Sequence, residues 1–355
     1  MTDSHSDATP EIAPADTIGR LSEVLGGDPM DRLDADMKHV LDTLGELGAR
    51  PLEYSTPTLA RRQPKPADAV KAILALQTRA PGEDGVESED IEIPNGEAES
   101  LPARIYRPLG LLSRLNPLVL YFHGGGFVTG DLDSHDASAR AIARRTGAIV
   151  VSVAYRLAPE HRFPAAHEDA WTAWTWALAQ ARDLTADPRR MAVVGEDAGA
   201  NLAANIAIRT RDGHVGQPVH QVLIHPIAGS DLSTASYGET LRARPIGLPA
   251  MRWRFRQLFE DGEEIKDPRI DLLSRDDLGG LAPTTIILAG IDPLRTEGEM
   301  LAEALRHAGT PVNCWTYDGV TQGFFGLGVI VTKALFAQTD VAQVLGKAFV
   351  PSRQS

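Results

Sequence analysis

Met191-Ala-Val-Val-Gly-Glu-Asp-Ala-Gly-Ala-Asn-Leu202 is the stretch on which the reading of this chain turns. The apolar run Met191 to Val194 predicts a buried strand. Ala200 to Arg209 predicts a helix. Gly195 and Gly199 bracket the turn between them, which leaves no room for side chains around its central residue. Such a strand, sharp turn and helix present one side chain at a helix N-terminus. The chemistry of that position calls for Ser, Cys or Asp. Here it is Asp197.

Working outward, apolar residues at Met37, Val40, Leu41, Leu44 and Leu47 have helical spacing and are stopped by Gly48 and Pro51. A second helix is predicted over Pro66–Gln77. Val86–Pro94 and Leu101–Pro108 form a hairpin about Asn95-Gly96. Strands follow at Leu118–Phe122, Ala148–Ala154, Val219–His225, Thr284–Ala289 and Val312–Tyr317. Helices are predicted at Ser134–Thr146 with Ser134 as N-cap, Glu168–Arg182, Glu297–His307 and Ala334–Phe349. Strands alternating with helices imply a mostly parallel sheet covered on both faces. Residues 231–272 break the alternation. A helix over Ala250–Glu260, with Met251, Phe255, Leu258 and Phe259 on its apolar face, either covers a pocket or simply packs on the core. The organisation expected is a loosely docked or disordered tail at 1–20, N-terminal cap helices at 21–85, and a core at 86–355 carrying a cap insertion at about 231–272.

The 355 residues are 43% hydrophobic and 23% charged, with a net charge of −13. That is ample to bury a core. An acidic balance gives no electrostatic footprint for nucleic acid or anionic lipid. The single Cys314 excludes an internal disulfide and any multi-cysteine metal site; it reads as a packed thiol. Residues 1–16 show no basic start or apolar run of a secretory leader, and no segment has the roughly 20 apolar residues of a membrane span. A soluble, cytoplasmic protein acting on a small molecule is the expectation.

Three further stretches fall at strand C-termini, where open α/β sheets place their sites. His123-Gly-Gly-Gly-Phe127 can point backbone N–H groups at a ligand oxygen, as an oxyanion hole does, or be a plain flexible turn. Gly290-Ile-Asp-Pro-Leu294 puts Asp292 after a strand, and Gly319-Val-Thr-Gln-Gly-Phe-Phe325 does the same for Gln322. Each is unremarkable alone. Together with Tyr155-Arg-Leu-Ala-Pro-Glu-His161, Phe163-Pro-Ala-Ala166, Gly195-Glu-Asp-Ala-Gly-Ala-Asn201 and Asp292-Pro-Leu-Arg295, they make the chain resemble the bacterial hormone-sensitive-lipase-like esterases. The resemblance runs from about residue 35 to the end. It implies an α/β-hydrolase fold, with a mostly parallel eight-stranded sheet, helices on both faces and a helical cap. It also implies ester hydrolysis by Ser, His and Asp, an oxyanion hole from Gly124, Gly125, Gly126 and Ala198, no cofactor, no metal, and a possible homodimer.

Two positions depart from the family's pattern. Its Gly-Asp-Ser-Ala-Gly reads Gly195-Glu-Asp-Ala-Gly199 here, and its His-Gly-Phe reads Gln322-Gly-Phe324. Glu196 falls on the family's Asp and reads as structural. Gln322 cannot accept a proton near neutral pH, and a carboxylate attacking an ester would give a mixed anhydride with no family histidine to release it. His135, His161, His167 and His225 lie near strand ends and match no catalytic slot, although one could substitute in space. The leading expectation is therefore non-hydrolytic acid/base chemistry: Asp197 facing the glycine oxyanion hole, oriented by Gln322 bridging it to Asp292. Elimination, dehydration, isomerisation, decarboxylation and cyclisation are such reactions. Two alternatives stay open: a hydrolase with Asp197 as nucleophile or residual esterase activity, and a catalytically dead binding protein.

Overall fold

The computed structural model describes residues 27–76, 85–96, 99–110 and 115–350. The tail expected at 1–20 lies outside them. Eight strands form one sheet: β1 (Val86–Ile93), β2 (Leu101–Pro108), β3 (Asn116–Phe122), β4 (Ile149–Val153), β5 (Ala186–Glu196), β6 (Gln221–Ile224), β7 (Thr284–Ile291) and β8 (Val312–Thr321). Their spatial order is β1-β2-β4-β3-β5-β6-β7-β8. Only the β1–β2 and β2–β4 pairs are antiparallel, and every pair from β3 to β8 is parallel. The strand that ends at Asp197 is thus central, with three strands on one side and four on the other counting outward from it to β8 and β1.

Alternation along the strands explains the two-sided burial. Leu118, Leu120 and Phe122 of β3 join a cluster with Val151, Trp174, Leu202, Leu223 and Leu288. Val119 and Tyr121, one residue out of phase, join a second cluster with Val150, Val194, Ile224, Ile287 and Phe324. Full burial of each such side chain is worth roughly 1.5–3 kcal/mol, so both faces of β3 are held by its own helix layer.

Ten α-helices are present among the described residues: α1 (Ala35–Glu46), α2 (Pro57–Arg62), α3 (Pro66–Leu76), α4 (Asp136–Thr146), α5 (Ala165–Ala179), α6 (Ala198–Asp212), α7 (Ala235–Glu239), α8 (Leu248–Leu258), α9 (Arg295–His307) and α10 (Thr332–Ala348). Several bounds differ from the sequence expectation for identifiable reasons. Ser134 does not cap α4; its hydroxyl exchanges bonds of 2.9 Å with the N–H and C=O of Asp131, and His135 takes the cap position without a side-chain bond. Local side-chain to backbone bonding has won over capping. α5 starts at Ala165, directly after Pro164, three residues ahead of the expected Glu168.

The N-terminal helices do more than lie over the sheet. Met37, Val40 and Leu44 of α1 and Ala69, Val70 and Ile73 of α3 are buried members of the second cluster. α2 is tied down by Arg61, whose guanidinium donates to the C=O of Val128 at 2.9 Å and of Ala158 at 2.7 Å and pairs with Glu160 at 2.7 Å. α8, between β6 and β7, reaches the same region: Trp253 Nε1 donates to Ser55 O at 3.0 Å. Met251, Phe255, Leu258 and Phe259 are buried in the first cluster, so the apolar face of α8 does pack on the core. Arg254 is buried as well, and its guanidinium is directed to the turn after β5.

Candidate active site

Asp197 is the first residue after β5 and the N-cap of α6, with φ 55° and ψ −114°. Left-handed backbone at a non-glycine residue costs of order 1–3 kcal/mol and persists only where its surroundings impose it. They do so here: Asp197 N–H donates to Ile224 O at 2.9 Å, and its C=O accepts from Ala200 and Ile227 at 3.2 and 3.3 Å. Gly199 lets the helix sit hard against the neighbouring strand, since a Cβ there would lie 2.1 Å from Phe122 O.

The side chain turns towards the glycine loop. Asp197 Oδ2 accepts N–H bonds from Gly125 at 2.9 Å and Gly126 at 2.8 Å. Arg254 Nη1, from α8, lies 3.1 Å from the same oxygen. Arg254 and Asp197 are 5% and 3% exposed, so the ion pair is a buried one. Gly126 is essential to that approach, because a Cβ on it would lie 2.2 Å from Arg254 Cδ. Asp197 Oδ1 is buried and has no hydrogen-bond partner.

This differs from the arrangement expected from sequence. The carboxylate was to face a set of free amides across a substrate; instead it fills them. Gly124 does not aim at Asp197 at all, since its N–H donates to His135 Nε2 at 3.1 Å. Ala198, the other expected donor, is buried at the first position of α6. Gln322 does not bridge Asp292 to Asp197: both its amide oxygen and its amide nitrogen are buried without a partner. An amide cannot serve as a link while neither of its ends is engaged.

Asp292 follows β7 and is fully buried. Its Oδ1 accepts from Leu294 N–H at 2.8 Å, while Oδ2 has no partner. Burial, reinforced by the charge of Asp197, pushes its carboxyl up to about 8. Asp292 is therefore a neutral acid near pH 7. Glu297 is buried nearby, accepts from Ala228 N–H at 2.9 Å, and is likewise pushed well above the ordinary carboxyl range by burial.

A second polar group lies beside Asp197. Glu196 accepts from Tyr121 OH at 2.7 Å, and its other oxygen is 3.8 Å from His225 Nε2. The same nitrogen takes a 3.3 Å N–H bond from Gly323, and Nδ1 is buried without a partner. Burial lowers the His225 imidazole, opposed by Glu196 and Asp197. His135 is lowered to about 4 by burial and is neutral near pH 7. His167 points away, bonded to Asn201 Oδ1 at 2.9 Å.

Asp197, Glu196, His225, Gln322 and Arg254 all line one cavity of about 190 Å³. Its far wall comes from the N-terminal segment, including Leu44, Leu52, Ala60 and Pro64. Among the described residues no cluster of His, Cys, Asp and Glu is suited to hold a metal ion, and no helix is long and apolar enough to cross a membrane.

Residues 119–326 match the family model described as alpha/beta hydrolase fold. The chain belongs to the α/β-hydrolase esterase/lipase family. Within that family it is similar to the carboxylic ester hydrolase LipN of Mycobacterium tuberculosis, 42% identical over 248 residues, covering 68% of this chain and 65% of that one. It is also similar to the esterase LipI of the same organism, 39% identical over 272 residues, covering 75% of this chain and 84% of that protein. Among solved structures, the hyperthermophilic esterase of Pyrobaculum calidifontis superposes with a TM-score of 0.79 at 34% identity, over 90% of this chain and all of that one. These α/β-hydrolases are named for hydrolysis, which sits better with the hydrolytic alternative than with elimination or isomerisation.

Arg254 is the residue at this site absent from the sequence reading, which names His225 only among the histidines near strand ends. Arg254 left a signal. It lies three residues after Met251 and four before Leu258, on the buried stripe of α8, where a charge demands a partner. His225 left only its place at the end of β6.

Proposed function

We propose that this chain is a hydrolase of the α/β-hydrolase family in which Asp197 stands where its relatives carry serine, Gln322 stands where they carry histidine, and the Asp197 carboxylate is the nucleophile. Its substrate is a small molecule with an electrophilic saturated carbon, a haloalkane or an epoxide. The observation that carries this reading is the split between the two oxygens of Asp197. Oδ2 is held by two backbone N–H groups and Arg254, whereas Oδ1 has no partner.

Attack on an ester carbonyl needs somewhere to put the substrate's oxyanion. That place is taken by Oδ2, so an ester has no hole to use. Abstraction of a proton beside a carbonyl fails on the same ground, because the enolate oxygen has no free donors. Displacement at a saturated carbon asks for neither. Oδ1 donates its electron pair to carbon, a C–O bond forms, and the halide leaves with the bonding pair; with an epoxide the ring C–O bond breaks instead, and its oxygen, still held by the adjacent carbon, takes a proton from solvent. The product is an ester of Asp197 whose carbonyl oxygen is Oδ2, already in contact with three donors. Water attacking that ester then develops its charge where Gly125, Gly126 and Arg254 can receive it.

The buried polar atoms support a working site. Asp197 Oδ1, Asp292 Oδ2, both Gln322 amide atoms, His225 Nδ1 and Arg254 Nε are without partners. Each such atom costs about 1–3 kcal/mol if left unpaired. Five of the six belong to residues that line the one cavity, which has reason to hold a polar substrate or water.

The experiment is incubation with 1-bromobutane or 1,2-epoxybutane, following bromide or diol release and the intact mass of the protein. Turnover with a covalent alkyl adduct that Asp197→Asn abolishes is the expected result. Turnover that survives Asp197→Asn overturns the reading. A second reading, a binding protein without turnover, draws on the Arg254 contact, which neutralises Asp197 in place; no adduct with either probe, together with tight retention of a small ligand, favours it.

A further inference from the structure

All three amides of the glycine loop are engaged, Gly124 N–H with His135, and Gly125 and Gly126 N–H with Asp197 Oδ2. We propose that Arg61 and Lys65, both from the N-terminal segment, are positioning residues that clamp this loop at its two ends and so aim its amides. What the clamp does for turnover rests on the nucleophile reading above; what it does for the amides does not.

The loop is one that needs holding. Gly125, Gly126 and Phe127 have φ of 125°, 60° and 63° in succession. Backbone of this kind turns consecutive N–H groups to one side, where they meet an anion. A non-glycine residue within it is strained and stays only while its surroundings impose the conformation. Inside the loop, the N–H groups of Val128 and Thr129 return to Gly125 O at 3.2 and 3.0 Å. From outside, Ala158 N–H donates to Phe127 O at 2.8 Å. Arg61 of α2 ties these two chains together: Nε donates to Val128 O at 2.9 Å and Nη2 to Ala158 O at 2.7 Å. Nη1 and Nη2 also grip Glu160 at 2.9 and 2.7 Å, so the fork is fixed by a third partner. A rigid guanidinium with five donors can serve three acceptors at once in this way, whereas a flexible ammonium cannot.

The other end is held through a relay. Lys65, just before α3, pairs with Asp131. Asp131 Oδ1 accepts from Ser134 N–H at 2.7 Å, and Ser134 Oγ lies 3.0 Å from His135 Nδ1. His135 Nε2 then accepts from Gly124 N–H at 3.1 Å. That bond needs a lone pair on Nε2, which puts the proton of the neutral ring on Nδ1, towards Ser134. The side chains of Arg61 and Lys65 are 28% and 25% exposed, so neither charge is part of the core, and a small solute can reach the place each occupies.

The test measures hydrogen exchange at the Gly125 and Gly126 amides, beside sheet amides such as Val193 and Leu223, in wild type, Arg61→Ala and Arg61→Lys. Arg61→Ala is expected to speed exchange at the two glycines at least about tenfold relative to the sheet, the scale of one lost hydrogen bond to a charged group. Arg61→Lys should fall between, and it carries the same comparison if Arg61→Ala does not fold. Guanidinium ion, far below denaturing concentration, should restore protection in Arg61→Ala and change nothing in wild type. Lys65→Met should loosen Gly124 more than Gly126. Adduct formation with 1-bromobutane, followed by intact mass, should slow in Arg61→Ala at saturating probe, with the half-saturating concentration little changed. Unchanged protection of Gly125 and Gly126 in folded Arg61→Ala overturns the proposal. So does a loss spread evenly over the sheet amides, which makes Arg61 a general stabiliser. If the glycine amides loosen but not even wild type forms an adduct, the clamp stands and the nucleophile reading has failed instead.

Discussion

Arg254 Nη1 and Asp197 Oδ2 meet at 3.1 Å, the one carried by helix α8 and the other by the turn after β5. The pair is buried, and no other cation is paired with Asp197 among the described residues. Removing one member of a buried pair leaves the other uncompensated, at about 3–5 kcal/mol. Arg254→Ala should therefore lower the denaturant midpoint by a corresponding amount without changing the slope. The double variant Arg254→Ala/Asp197→Asn should recover part of the loss. Equal losses in the single and double variants would show that packing of the arginine stem, and not its charge, is what matters.

Gly126 makes room for that arginine. Gly126→Ala meets both a φ of +60° and a Cβ placed 2.2 Å from Arg254 Cδ. The guanidinium must move away from Asp197, and the cost should be about 1–3 kcal/mol from backbone strain alone. Chemical denaturation measures the stability. Alkyl-adduct formation, followed by intact mass, should also slow if Arg254 helps hold Oδ2.

Asp292 gives the stability a pH dependence of definite sign. Its carboxyl is pushed up to about 8 in the fold, against about 3.9 in an unfolded chain. Between those values the folded protein holds a proton that the unfolded chain has lost, so stability falls as pH rises. The contribution is whole below pH about 4, declines towards pH 8 by about 1.4 kcal/mol per unit, and is gone above it. Asp292→Asn should flatten this part of a stability-against-pH curve and raise stability at pH 8. Glu297, raised in the same direction by burial, adds to the slope that remains.

Simple acetates test the chemistry from the other side. The wild-type chain should hydrolyse p-nitrophenyl acetate poorly, because Asp197 Oδ2 occupies the amides of Gly125 and Gly126. Asp197→Ser with Gln322→His frees those amides and supplies a base. The double variant should exceed the wild type by at least about 100-fold in kcat/KM, the low end of what a general base contributes. Rapid, sustained acetate hydrolysis by the unmodified chain would contradict the occupancy argument.

The fold was legible because its signals are local and repeat. Apolar strands such as Leu118–Phe122, glycines at tight approaches, and Asn95-Gly96 between two strands each dictate their own geometry, and the eight strands assemble as that pattern requires. The site was legible only in its addresses. Sequence gives the places of Asp197, Asp292 and Gln322 at strand ends, but not the direction of a carboxylate about two single bonds. Gln322 could be imagined as a bridge because an amide can donate and accept; in the structure it does neither. Arg254, which with Gly125 and Gly126 holds Asp197 Oδ2, lies 57 residues downstream on α8, and pairing at that separation leaves no periodic trace.

The counter-ion of Asp197 is mounted on a different element from the acid itself. The position of α8 is in turn set by core packing and by the tie from Trp253 to Ser55. Any substitution there that shifts the helix therefore also alters the charge beside Asp197, without touching that residue.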